Sequence, residues 1–142
     1  MLLGKFYHTL EANGRISLPK KLRDAHLEWV VTRGLDGGLF LIGSEQFIKE
    51  LDSIAQSTLT HQAHRDFIRL MTNEAVEVKP DSIGRVQLPE YLIEFAQLKK
   101  EVVIVGSLTR IEIWDRDRYH LYIGQQENNA NALADTIAKT ED

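Results

Sequence analysis

The chain repeats itself. Glu11-Ala12-Asn13-Gly14-Arg15-Ile16-Ser17-Leu18-Pro19 lines up with Asp81-Ser82-Ile83-Gly84-Arg85-Val86-Gln87-Leu88-Pro89. An acid, Gly-Arg, a β-branched residue and Leu-Pro recur in the same order 70 residues apart. After a two-residue insertion, residues 30–34 match 102–106 and residues 39–42 match 111–114. Phe47 and Tyr119 then take equivalent places, each after a helix-start signal. One such match is chance; several in register mark two copies of one unit. A unit this small cannot bury a core alone, whereas two copies can bury their apolar faces against each other.

Each copy reads as strand, turn, strand, short helix, strand, turn, strand. In the first, residues 6–10 alternate as a strand, and Ala12-Asn13-Gly14 supplies turn residues tolerant of positive φ. Ile16 and Leu18 face inward from the next strand, and Pro19 suits the first turn of a helix over residues 20–25. Residues 29–33 and 39–42 form strands around the Asp36-Gly37-Gly38 turn. The second copy repeats this with strands at 75–79, 85–88, 101–105 and 110–114 and a helix at 89–97. Between the copies, Ser44 is positioned to cap a helix with Phe47, Ile48, Leu51 and Ile54 on one stripe. Thr60 is positioned to cap a second, with Ala63, Phe67, Leu70 and Met71 on one face. The last residues, rich in Asn, Ala and acids, read as a frayed or weakly helical tail.

The expected fold is therefore α+β: two tandem units forming a pseudo-two-fold, barrel-like domain, with a helical linker and a C-terminal helix. The divisions are residues 1–47, 48–73, 74–123 and 124–142, the last weakly ordered.

Cysteine is absent, so disulfides and thiolate metal sites are excluded. No apolar run has the length of a membrane helix, and the first residues do not read as a secretory signal. A cytoplasmic location is the expectation. Net charge is −4, against a chain that coats nucleic acid indiscriminately, but the average hides an asymmetry. Residues 1–35 hold six basic side chains against three acidic ones, and the remainder eleven against eighteen.

Arg15 and Arg85 each follow a glycine in a tight turn, so a long cation projects from a rigid base. Such an Arg can bridge guanine O6 and N7, or grip a phosphate. It can equally serve a structural ion pair, since Glu11 precedes Arg15 by four residues and Asp81 precedes Arg85 by four. Lys20, Lys21 and Arg23 lie on the short helix of the first copy, where the second has Glu90, Tyr91 and Ile93. That divergence suggests that the first copy faces phosphate and the second faces protein; a solvated helix face is the bland reading. His61 and His64 share a helix side but lack two further ligands for zinc. Residues 34–38 read as a hairpin, not a phosphate loop, and Trp29 and Trp114 as core or subunit-contact anchors.

The repeated acid-x-x-Gly-Arg turn, Leu-Pro and short helix resemble the swapped-hairpin DNA-binding units of AbrB-type regulators. The chain as a whole is similar to the MraZ family, whose Asp-x-x-x-Arg signature appears twice, matching Glu11 to Arg15 and Asp81 to Arg85. Residues 31–37, 100–106 and 111–115 also resemble stretches of that family, and the resemblance covers about residues 1–123. The first copy departs from the pattern by carrying Glu11 where the family usually has Asp. A longer arm changes the local bonds available to the turn.

The resemblance implies a transcription regulator at the promoter of a cell-division and cell-wall gene cluster. It also implies a ring-like homo-oligomer on direct repeats of double-stranded DNA, nucleoid-associated and without a cofactor. Given it, Arg15, Lys20, Lys21 and Arg23 are the expected DNA-binding residues. Glu11, Gly14, Arg15, Asp81, Gly84 and Arg85 form the motif turns, with Arg85 expected in a structural ion pair or subunit contact. No nucleophile, base and orienting group are signposted together, so an enzyme is not expected. An antitoxin-like module and a structural assembly subunit are the competing functions.

Overall fold

The computed structural model describes residues 1–57 and 60–141. The first copy supplies β1 (Leu2–Thr9), β2 (Arg15–Ser17), α1 (Lys20–Arg23), β3 (Trp29–Arg33) and β4 (Leu39–Gly43). α2 (Ser44–Ala55) and α3 (Gln62–Asn73) follow. The second copy supplies β5 (Val76–Val78), β6 (Arg85–Gln87), α4 (Glu90–Phe95), β7 (Glu101–Leu108) and β8 (Ile111–Asp115). α5 (Arg116–Glu127) and α6 (Ala130–Glu141) complete an α+β chain. No helix among the described residues is long and apolar enough to cross a membrane.

The strands run in the order β1-β7-β8-β4-β3-β5, every neighbouring pair antiparallel, and β2 pairs separately with β6. Exchanging the copies reverses that order and leaves it unchanged, which is the pseudo-two-fold relation the repeat implies. Each copy's first strand lies against the other copy's third, so the copies are interlaced through backbone hydrogen bonds. The sheet ends at β1 and β5, and β2 and β6 pair with each other instead of bridging those edges. The described residues form no closed barrel, so of the expected barrel-like domain the α+β class is found but the barrel is not; the architecture is an open sheet under a two-stranded ribbon.

Between them lies one core. Ile16, Leu18 and Leu22 of the first copy meet Val86, Leu88 and Leu92 of the second, over Trp29, Val31, Leu39, Leu41, Val102, Ile104, Ile111 and Ile113. This core corrects the sequence correspondence by one residue. Trp29 pairs with Val78 as Val102 pairs with His8, so Trp29 is the equivalent of Val102, and Val31 of Ile104. The insertion before β7 is three residues, and the following turn is one shorter: Gly34 N–H reaches Gly38 C=O, but Ser107 N–H reaches Arg110 C=O. A one-residue slip moves every side chain to the other face. Residues 102–105 are all buried, so their apolar run carries no alternation that would set the face.

The two expected helix caps are also corrected. Gly43, not Ser44, precedes α2, and the Ser44 hydroxyl is buried without a hydrogen-bond partner among the described residues. His61, not Thr60, precedes α3, and the Thr60 hydroxyl bonds to Ser57 C=O. The helices pack Phe47, Leu51, Phe67 and Met71 onto Phe40 and Ile42. Ile48 (60% exposed) and Leu70 (51%) lie outside that seam. Residues 124–142 hold the end of α5 and all of α6, whose side chains are exposed through Thr140.

Candidate nucleic-acid interface

The β2–β6 ribbon has two faces. Ile16 and Val86 are opposite each other and fully buried, so strand alternation sends Arg15, Ser17, Arg85 and Gln87 to the outer face. The ribbon is tied at both ends by symmetric bonds: Leu18 N–H to Gly84 C=O (2.9 Å) and Leu88 N–H to Gly14 C=O (3.0 Å). Each turn closes identically, with Gly14 N–H on Glu11 C=O and Gly84 N–H on Asp81 C=O. Gly14 (φ +85°) and Gly84 (φ +87°) sit in the left-handed region, which explains the glycine before each arginine.

Within that symmetric frame the two arginines are treated differently. Arg85 Nε donates to Asp81 Oδ2 (2.9 Å), and its NH1 donates to Glu11 Oε1 (3.1 Å). Asp81 also accepts the backbone N–H groups of Arg85 (2.9 Å) and Ile83 (3.1 Å). The Arg85 backbone bond, aided by that guanidinium, holds the Asp81 carboxyl below its ordinary range. The hydrogen bond that Arg85 donates to Asp81 in turn raises the pKa of the guanidinium. In the first copy the short Asn13 side chain accepts the Arg15 N–H instead (3.2 Å), and the longer Glu11 crosses to Arg85. Arg85 thus carries two carboxylates, and the Arg15 guanidinium has no ion-pair partner among the described residues.

The register also sets where the α1 cations stand. Arg15 lies opposite Gln87, and Ser17 opposite Arg85. β2 leads from Ser17 into α1, so Lys20 and Lys21 stand at the Arg85 end, exposed and without ion pairs among the described residues. β6 leads from Gln87 into α4, so Arg15 stands at the end where Glu90 begins that helix. Nearness in sequence grouped Arg15 with the α1 lysines; the antiparallel pairing separates them along the ribbon. Arg23 turns inward: a Cβ on Gly84 would lie 1.9 Å from its NH1, so its guanidinium covers the other copy's turn. Its counterpart Ile93 covers Gly14 in the same way.

Gln87 and Ser17 belong to the outer face and were not singled out from sequence, although their parity relative to Ile16 and Val86 marks them. Gln87 Nε2 donates to Asn13 C=O (2.7 Å), bracing the Arg15 turn. The other candidates lie elsewhere. His61 and His64 stack at 4.9 Å, and no cluster of three or more His, Cys, Asp or Glu among the described residues is placed to hold a metal. Trp29 is fully buried beside His26, and Trp114 packs against Gly38, Tyr119 and Tyr122.

Comparison with known proteins adds to this geometry. The family model described as "MraZ protein, putative antitoxin-like" matches twice, at residues 1–70 and 71–140, one match per copy. A protein of Carboxydothermus hydrogenoformans named Transcriptional regulator MraZ is 39% identical over 140 residues, covering 98% of this chain and 95% of that one. Proteins of the same name from Moorella thermoacetica and Acetivibrio thermocellus are 35% and 33% identical, over 96% and 97% of both chains. By these matches over nearly its full length, the chain belongs to the MraZ family.

Proposed function

We propose that the protein is a sequence-specific DNA-binding transcription regulator that reads DNA with the outer face of the β2–β6 ribbon. The observation that carries this reading is the unequal treatment of two symmetric arginines. Arg85 is consumed by Glu11 and Asp81, whereas Arg15 is presented from a rigid glycine turn with no ion-pair partner among the described residues. A two-stranded ribbon fits a major groove about 12 Å wide. Two strand positions along and one strand across separate Arg15 from Arg85 by about 8 Å at the backbone, within that width. Arg15 would bridge a guanine edge, Gln87 beside it would reach an adjacent base, and Lys20 and Lys21 would take phosphates. Arg23 would act through the Gly84 turn it covers.

The names of the relatives support the regulatory part of this reading. The finer parts are proposals in the same sense: two swapped-hairpin units at residues 1–47 and 74–123, and action in the nucleoid. So are a ring-like assembly and repression of a cell-division and cell-wall gene cluster through tandem promoter repeats. The antitoxin-like wording of the family description favours one second reading, a module that binds DNA together with a protein partner. The test is to recover bound fragments from random double-stranded DNA and sequence them. A recurrent short motif that disappears with Arg15→Ala supports the proposal. Recovery of random sequence, or none, refutes it.

A further inference from the structure

The repeat makes the two ends of the ribbon comparable position by position. At the Arg85 end stand the start of α1, the link from α1 to β3 and the turn at residues 80–84. His26 and Leu27 of that link line one cleft with Pro80, Asp81 and Ser82. At the Arg15 end stand the start of α4, the link from α4 to β7 and the turn at residues 10–14. Since Trp29 is the equivalent of Val102, His26 and Leu27 correspond to Lys99 and Lys100. The lysines have therefore changed places between the ends. Lys20 and Lys21 stand where the other copy has Glu90 and Tyr91, and Lys99 and Lys100 where the other has His26 and Leu27. Each end keeps one lysine pair.

The second pair is fastened to the Arg15 turn. The inserted residues make α4 six residues long against four for α1, and Gln97 ends it in the left-handed region (φ +51°). Leu98 turns into the core, and its N–H donates to Ile93 C=O (3.0 Å). Lys99 N–H then donates to Asp115 Oδ1 (3.3 Å), and Lys100 C=O accepts Leu10 N–H (2.8 Å). Glu11, next in the chain, donates its N–H to Arg15 C=O (2.9 Å). Two hydrogen bonds and one peptide link thus join Lys100 to Arg15, no more than about 15 Å at the backbone. Pro80 takes the place of Leu10 in the other copy and has no N–H, so the tie has no counterpart there. Both lysines are exposed and make no ion pair among the described residues; the neighbouring Glu101 lies 4.0 Å from Arg116 instead.

We propose that Lys99 and Lys100 hold DNA phosphates on one wall of the groove that Arg15 enters, opposite the wall held by Lys20 and Lys21. This rests on the reading that the outer face of the ribbon meets DNA. A major groove is bounded by two phosphate backbones, and both walls are strongly negative. Lys20 and Lys21 serve the Arg85 end only. At the Arg15 end the first residue of α4 is Glu90, which would repel a phosphate wall if no cation stood near it. The α4–β7 link supplies that cation pair from a base pinned on both sides. The second copy thereby contributes phosphate contacts as well as half of the core.

The test uses the full chain and two duplexes, one carrying the motif recovered from random DNA and one scrambled. Lys99→Ala/Lys100→Ala keeps the backbone bonds and removes only exposed atoms, so thermal melts should be unchanged. Affinity for both duplexes should fall by the same factor, and the slope of log affinity against log salt should drop by about 0.9 per lysine. That difference removes about tenfold of the parent chain's advantage between about 50 and 200 mM salt. Lys99→Arg/Lys100→Arg should restore the slope. Lys49→Ala/Lys139→Ala, which takes the same charge from exposed positions on α2 and α6, should leave it nearly unchanged. Duplexes with single methylphosphonates then locate each contact. The Lys99/Lys100 variant should become indifferent to neutral phosphates on one wall, and Lys20→Ala/Lys21→Ala to those on the other. A slope equal to that of the parent chain, or loss of sensitivity to the same phosphates in both variants, would overturn the proposal while Arg15→Ala still abolished motif preference. If Arg15→Ala leaves motif preference intact, the ribbon reading fails and this proposal falls with it.

Discussion

Replacing Arg15 by Ala separates reading DNA from holding the fold. The Arg15 guanidinium makes no ion pair among the described residues, and its backbone bond to Asn13 survives the truncation. Neither a cavity nor an orphaned polar group is created, so stability should change by no more than about 0.5 kcal/mol, the usual range for an exposed site. That is a melting shift within roughly 2 °C for a chain of this size. A bidentate contact to guanine contributes about 1–3 kcal/mol of discrimination, so affinity for the preferred sequence should fall by about 5- to 150-fold. Affinity for unrelated DNA should fall far less. Arg85→Ala is the matched control: it strips the cation from Glu11 and Asp81, leaving two carboxylates facing each other across the ribbon. It should lower the melting temperature and spare more of the sequence preference. Thermal melts beside titrations of fluorescent specific and scrambled duplexes measure both quantities. Equal losses of specific affinity in two equally stable variants would show that the ion-pair asymmetry has nothing to do with recognition.

Lys20→Ala combined with Lys21→Ala should reduce the slope of log affinity against log salt by about 0.9 for each phosphate left without its lysine, with the preferred sequence unchanged; titrations from low to moderate salt check it. A single subunit offers few cations, so binding should need at least two tandem repeats, the second site seen at about millimolar effective concentration. Moving one repeat by half a helical turn should abolish that advantage in a gel-shift series. Asp81→Asn should destabilise the fold at neutral pH. Because the folded carboxyl is held below its ordinary range, the wild-type advantage is complete above about pH 4 and disappears as pH falls further, which melts from pH 2 to 7 would show. Gly84→Ala should cost about 1–2 kcal/mol from its left-handed backbone alone, and must also displace the Arg23 guanidinium; Ala at an exposed site of ordinary φ provides the baseline.

Much of this molecule is written locally. Gly-Arg after an acid, Leu-Pro before a helix and Asp36-Gly37-Gly38 between apolar runs are short-range signals. Each names its own turn or helix start because φ, proline geometry and side-chain-to-backbone bonds act over a few residues. The tandem repeat, also legible in the chain, determines that two like units must share one core. What the chain alone does not carry is pairing. Residues 102–105 are buried on both faces, so only the partners of β7, His8 to Lys5 on one side and Asp115 to Glu112 on the other, reveal the one-residue shift. The lysines of α1 are near Arg15 in sequence but follow β2 at the Arg85 end of the ribbon, since β2 and β6 run antiparallel. By sequence spacing Glu11 is the natural partner of Arg15; a single extra methylene and the presence of Asn13 send it to Arg85 instead. Local residue chemistry determined the turns and broke the symmetry between the two arginines, but only the long-range pairing of β2 with β6 brought Glu11 of one copy within reach of Arg85 of the other.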